Sequence, residues 1–322
     1  MSGLNRSPPS PSPSPSRGLV AIVAAMPEEV TTVRTRLVEL EARRLGQRTL
    51  RIGRLDGAAV ALLVTGDGER NARQGLADLL GQPNALRIER LIVVGTAGAL
   101  SPGLAPADLV VATHVVREPE EASLITGVEA AGPAWVASAA RLLGARPAVV
   151  VTARRIADSA LEKQRLWRVA AAAGAGACTD TDGDSDRDND RDDRAVGRRP
   201  TAVVDLESAI YAEMARAAGI PWLVVRAVSD TASEELPELL NRARDSGGAV
   251  RRTQVLRGLL GDPRALTRLL TLRGRVVRCA EALGDSLHEG VLRGPPESAT
   301  ATATATTGSG VGMGFGTAQG DP

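Results

Sequence analysis

Short unbroken apolar runs, rather than alternating ones, punctuate this chain and set its fold class. Residues 18–25 (GLVAIVAA), 91–94, 148–152, 202–204 and 222–228 are each too short for a helix and rich in Val, Ile, Leu and Ala. Runs of that kind read as strands buried on both faces. Helical periodicity marks 69–80, 135–143, 159–173 and 263–287, and Pro27 fits the first turn of a helix carrying Glu28, Glu29, Val30, Val33 and Leu37. Residues 50–55 and 58–65 read as a strand pair around Asp56-Gly57, and 108–116 as a further strand. Repeated strand–helix alternation predicts one α/β domain, its central sheet mixed but mostly parallel, with flanking helices. On the last helix, Leu266, Leu269, Leu270, Val276 and Val277 are expected to share the packed face.

Composition trims the ends. Residues 1–17 are mostly Ser and Pro, and 293–322 run through Ala-Thr repeats into Gly-rich sequence, so neither tail has the apolar content to offset the entropy of ordering. The domain is therefore expected over 18–292. Within it, 178–193 (CTDTDGDSDRDNDRDD) sets eight Asp against two Arg. The EF-hand spacing is not met there, so 174–199 is expected to be a disordered acidic insertion rather than a calcium loop. A net charge of +1 gives no global pull toward nucleic acid. Two Cys and two His argue against a disulfide scaffold and a His-based metal site. No apolar run reaches the roughly 18 residues of a membrane span, and the Pro-rich start is no signal peptide, so a cytoplasmic protein is expected.

The chemistry lies at the strand ends. In 201–230 (TAVVDLESAIYAEMARAAGIPWLVVRAVSD) a strand leads into Asp205 and Glu207, a helix follows, and a second strand ends on Ser229-Asp230. Carboxyl ends of strands in open α/β sheets are where ligands sit. Glu29 stands just beyond the first strand. Gly66-Asp67-Gly68 and Gly95-Thr96-Ala97-Gly98 are expected as glycyl turns whose N–H groups hold hydroxyls or anions. Taken singly, each acid has a plain explanation as a first-turn or capping residue. Together they could share the tasks of gripping a sugar, activating water and protonating a leaving base.

Five segments in order, AAMPEEV (24–30), GTAGAL (95–100), ADLVVAT (107–113), VVDLESA (203–209) and VVRAVSD (224–230), resemble the nucleoside phosphorylase/nucleosidase superfamily, especially its methylthioadenosine/S-adenosylhomocysteine nucleosidase branch. The resemblance implies N-glycosidic cleavage of a purine, adenine-type nucleoside by water or by inorganic phosphate as co-substrate. No metal or organic cofactor is implied, and a homo-oligomer is. By position, Glu29 matches the acid that activates water, Asp230 the acid that protonates purine N7, and Arg226 the arginine beside the nucleophile. Glu207, Leu206 and Thr96 match the ribose site; Gly66, Gly68, Gly95 and Gly98 the nucleophile loops; Thr152, Ala153 and Ser229 the base pocket. Leu206 replaces the usual Met, Ala99 replaces a Gly, and the purine-stacking aromatic after 148–152 is absent. The tail of the domain, with GDPRALTRLL at 261–270, resembles the hopanoid-associated phosphorylase subgroup, which releases adenine from adenosylhopane. Its basic C-terminal helix could then touch a membrane surface.

Two other readings differ in kind. A dinucleotide-binding protein would need a third glycine where Asn71 stands. A non-catalytic nucleoside-binding protein of the same fold would not need all three acids.

Overall fold

The computed structural model describes residues 18–82, 86–120, 127–129, 132–175, 199–243 and 263–294. The tail at 1–17, the heart of the acidic insertion and the chain beyond 294 lie outside them.

The fold is organised around two apolar strands. β1 (Leu19–Ala24) is buried over five of its six residues, as a strand covered on both faces must be. It lies parallel to β4 (Ala58–Val64) on one side and β5 (Ile88–Ala99) on the other. Beyond β4 the antiparallel meander β2 (Val38–Leu45)–β3 (Arg48–Leu55) forms one edge. β5 also pairs in parallel with β10 (Trp222–Asp230), and its last residues pair antiparallel with β9 (Ala202–Asp205). β10 continues antiparallel to β6 (Leu109–Arg117), β6 parallel to β8 (Arg146–Thr152), and β8 parallel to β9. The pairings β10–β6–β8–β9–β5–β10 therefore close on themselves. The short strand β7 (Gly127–Glu129) adds to β6.

Helices cover the sheet. α2 (Glu69–Leu80) and α5 (Ser208–Ala217) pack together, α3 (Pro133–Leu143) covers β6 and β8, and α4 (Ala160–Ala175) lies on β8 and β9. After the short α6 (Leu239–Arg242), α7 (Pro263–Ser286) crosses α1 (Thr31–Arg36), β5 and β10, and α8 (Glu289–Arg293) packs on α3. No helix of the described residues is long and apolar enough to cross a membrane.

Four local expectations are corrected. The helix expected from Pro27 is split into a 3-10 turn, Pro27–Val30, and the short α1. Glu29 turns its carboxylate back to accept from Met26 N–H at 3.0 Å, capping the start of that 3-10 turn. Residues 38–45, given no element from the sequence, form edge strand β2 with Val38 and Leu40 exposed. The segment 95–98 is strand rather than turn, because β10 continues to pair with it. On α7, Leu270 and Val277 are 57% and 52% exposed, while Cys279, Ala280 and Leu283 are buried. Gly284 sets that rotation, since any side chain there would meet Thr32 Cβ at 2.3 Å.

Candidate active site

Residues 95–98 of β5 form the floor on which the polar residues gather. In the β5–β10 register Gly95 stands opposite Arg226 and Gly98 opposite Asp230. Gly95 is needed for space, and Gly98 leaves little to spare. A Cβ on Gly95 would lie 2.0 Å from Arg226 Nη1 and 2.8 Å from Glu29 Oε1; one on Gly98 would lie 3.0 Å from Asp230 Oδ2. Between them, Thr96 donates its backbone N–H (2.8 Å) and hydroxyl (3.1 Å) to Glu29 Oε1.

Arg226 is buried and boxed in. Its Nη2 lies 2.5 Å from Asp205 Oδ2 and donates to Ser208 Oγ at 2.8 Å. Burial alone would depress its guanidinium, but Asp205, Glu29 and Glu207 together hold it above its ordinary value. Burial pushes Glu29 above the usual carboxyl range, against the pull of Arg226 and the hydrogen bonds from Thr96 and Met26. Glu207, at the start of α5, accepts from Gly68 N–H at 3.0 Å. Gly68 adopts φ +91°, which a side chain would oppose, and so aims its N–H at the acid. Burial, then Asp205 and Asp67, push Glu207 well above the ordinary range.

Asp230 closes the row. It is buried, with Oδ1 accepting from Ser229 Oγ at 2.6 Å and Oδ2 from Lys163 Nζ at 2.5 Å. Glu29 and Asp230 thus lie against the same end of β5 and β10, with Glu207, gripped by a glycyl N–H, in electrostatic reach of Arg226.

The remaining residues singled out from the sequence occupy different stations. Thr152 does not face outward: its hydroxyl donates to Asp205 Oδ1 at 2.8 Å and accepts from Ala209 N–H at 2.9 Å, clamping β8 to β9. Ala153 donates its N–H to Asp205 O at 2.8 Å. Leu206 packs half-buried against the apolar cluster containing Leu100, Val151 and Leu166. Gly66, at φ +97°, opens the turn that carries Gly68.

Sequence reasoning gave no role to Asp205, Ser208 or Lys163. Lys163 had a signal. It is the only lysine of the chain, and it sits on the helical stripe of Leu166 and Ala170, all three buried. A cation on a core stripe demands a partner.

This arrangement has relatives. A nucleosidase of Geobacillus thermodenitrificans, 5′-methylthioadenosine/S-adenosylhomocysteine nucleosidase, is 33% identical over 220 residues, covering 67% of this chain and 85% of the relative. The enzyme of the same name from Marinomonas sp. is 27% identical over 224 residues, covering 68% and 89%. In fold, the chain is similar to the Helicobacter pylori nucleosidase of that name in complex with a pyrrolopyrimidine-bearing pyrrolidinol (TM-score 0.55, 17% identity, 84% of this chain and 97% of that one). It is equally similar to the futalosine hydrolase of the same organism (TM-score 0.55, 16% identity, 84% and 97%). Residues 19–260, which span β1 to β10 and every acid described above, match the Phosphorylase superfamily, and the chain belongs to that family.

Proposed function

We propose that this protein cleaves the N-glycosidic bond of an adenine-type purine nucleoside with water as nucleophile. The observation that carries the reading is the gathering of Glu29, Arg226 and Asp230 around 95–98, with Glu207 held by Gly68 N–H in electrostatic reach of Arg226, in a chain whose 33%-identical relative is a nucleosidase. Glu29, raised by burial, is a stronger base than an exposed carboxylate and takes the proton of the attacking water. Glu207 binds the ribose hydroxyls, a contact that strengthens as positive charge grows on the sugar. Asp230 gives a proton to purine N7, so the C1′–N9 electron pair leaves with a neutral base.

Water is favoured over phosphate by charge. Arg226 is surrounded by the carboxyls of Glu29, Asp205 and Glu207, and so offers little net attraction to an oxyanion. Arg73, near the Gly66–Gly68 turn, is turned outward into a solvent-exposed ion pair with Glu69 at 3.0 Å. A second reading of the substrate, adenosine carrying a polycyclic lipid at the 5′ position, draws on the outer face of α7, where exposed Leu270 and Val277 adjoin exposed Arg273 and Arg278.

The test is product analysis. Purified protein is incubated with methylthioadenosine, S-adenosylhomocysteine and adenosylhopane, each with and without phosphate. Release of adenine with free sugar, indifferent to phosphate, is the expected result. A sugar 1-phosphate product would replace water by phosphate, and no adenine from any substrate would remove the proposal.

A further inference from the structure

Lys163 is a buried cation to which the reaction above assigns no part. It reaches from α4 to the end of β10 and has three acceptors, matching the three N–H groups of an ammonium: Asp230 Oδ2 at 2.5 Å, Thr231 O at 2.7 Å and Glu234 O at 2.8 Å. Lys163 and Asp230 are 1% and 2% exposed, so solvent does not screen the pair. Asp230's other oxygen is held by Ser229, and Gly98 leaves the carboxylate its space.

We infer that Lys163 is a positioning residue for leaving-group protonation, acting through Asp230; this rests on the nucleosidase reading. As a proton moves from Asp230 to N7, negative charge grows on a carboxylate shut off from water. The ammonium at 2.5 Å neutralises that charge as it forms, and it is already oriented, so no reorganisation is needed during the step. The two carbonyl bonds serve the same end. They tie Nζ to the chain that follows β10, so the ammonium cannot swing away when the carboxyl is protonated.

The test compares Lys163→Met, Lys163→Arg, Asp230→Asn and Lys163→Met/Asp230→Asn on an adenine nucleoside. Lys163→Met is expected to lower kcat by about 100-fold with KM changed less than about threefold. Lys163→Arg, which keeps the charge, is expected to recover at least about tenfold of that loss. The double variant is expected to match Asp230→Asn within about threefold, because a residue that works through Asp230 has nothing left to assist. Lys163→Met leaves a buried carboxylate unpaired and could fail to fold; Lys163→Arg and the double variant leave none, and their comparisons with wild type and Asp230→Asn then decide the matter. A Lys163→Met enzyme within about threefold of wild type, an arginine variant no better than methionine, or a double variant slower than Asp230→Asn by the full single-variant factor would each overturn the inference alone. A wild type inactive on every adenine nucleoside would remove the nucleosidase reading as well.

Discussion

Gly95 and Arg226 face each other across the parallel register of β5 and β10, and the guanidinium occupies the volume that a Cβ on Gly95 would need. Arginine side chains commonly yield to such a clash by swinging aside. This one is pinned by Asp205 at 2.5 Å and by Ser208, and Glu29 Oε1 would lie 2.8 Å from the same added Cβ. Gly95→Ala is therefore expected to displace Arg226 and Glu29 together and to lower kcat/KM by at least about 100-fold. Steady-state kinetics beside a circular dichroism spectrum checks this; a folded Gly95→Ala enzyme of near-normal rate would show that the two side chains have freedom the structure denies them.

The pH dependence follows from Glu29. As a base it must be ionised, and burial raises it above the usual carboxyl range. Below its raised value it holds a proton and cannot accept one from water. The acid limb of the kcat profile is thus expected above the range of an exposed glutamate, with activity growing as pH rises through it. Glu29→Gln is expected to lose about 10²–10⁴-fold in kcat and to lose that limb. A wild-type profile flat down to the ordinary carboxylate range would contradict the assignment.

Glu207 links the site to stability. Its folded-state value lies well above that of the unfolded chain, so the folded protein binds the proton more tightly over the interval between them. Stability from this group is present at low pH and is lost as pH rises from about 4.5 through the raised folded value. Glu207→Gln keeps an oxygen for Gly68 N–H and removes the buried charge. It is expected to raise Tm on the order of a few degrees at pH 8, less at pH 5, while ribose binding suffers. Melting curves of both proteins at the two pH values test it, and a gain independent of pH would place its origin elsewhere.

Much of this was legible in the residues because burial on both faces leaves a strong mark. Runs such as 18–25 and 222–228 cannot be anything but interior, and acids placed where such runs give out draw attention to themselves. Other features left weaker marks. β2 begins by alternating apolar and charged residues, yet its first five residues are all exposed, Val38 and Leu40 among them, so its pattern does not point to a core. Residues 95–98 read as a turn because glycines usually break strands; here they are small so that Arg226 and Asp230 can lie across them. Asp205 stands where an apolar run gives out and Lys163 on a core stripe, but their partners, Arg226 and Asp230, lie 21 and 67 positions away, so the pairs themselves cannot be read locally. The orientation of α7 depends on a single contact between Gly284 and Thr32, 252 residues apart, which local periodicity cannot supply.

The closed circuit of strands also bears on how freely the chain can change length. β9 is fixed by β5 on one side and β8 on the other, and Leu100 and Ser101 both donate to Ala202 O. Its place does not depend on the connection that delivers it from α4. The entropy of closing such a connection grows only logarithmically, about 0.6 kcal/mol for each doubling. Insertions between residues 175 and 202 can thus accumulate or vanish over evolutionary time while the geometry around Glu207 stays as it is.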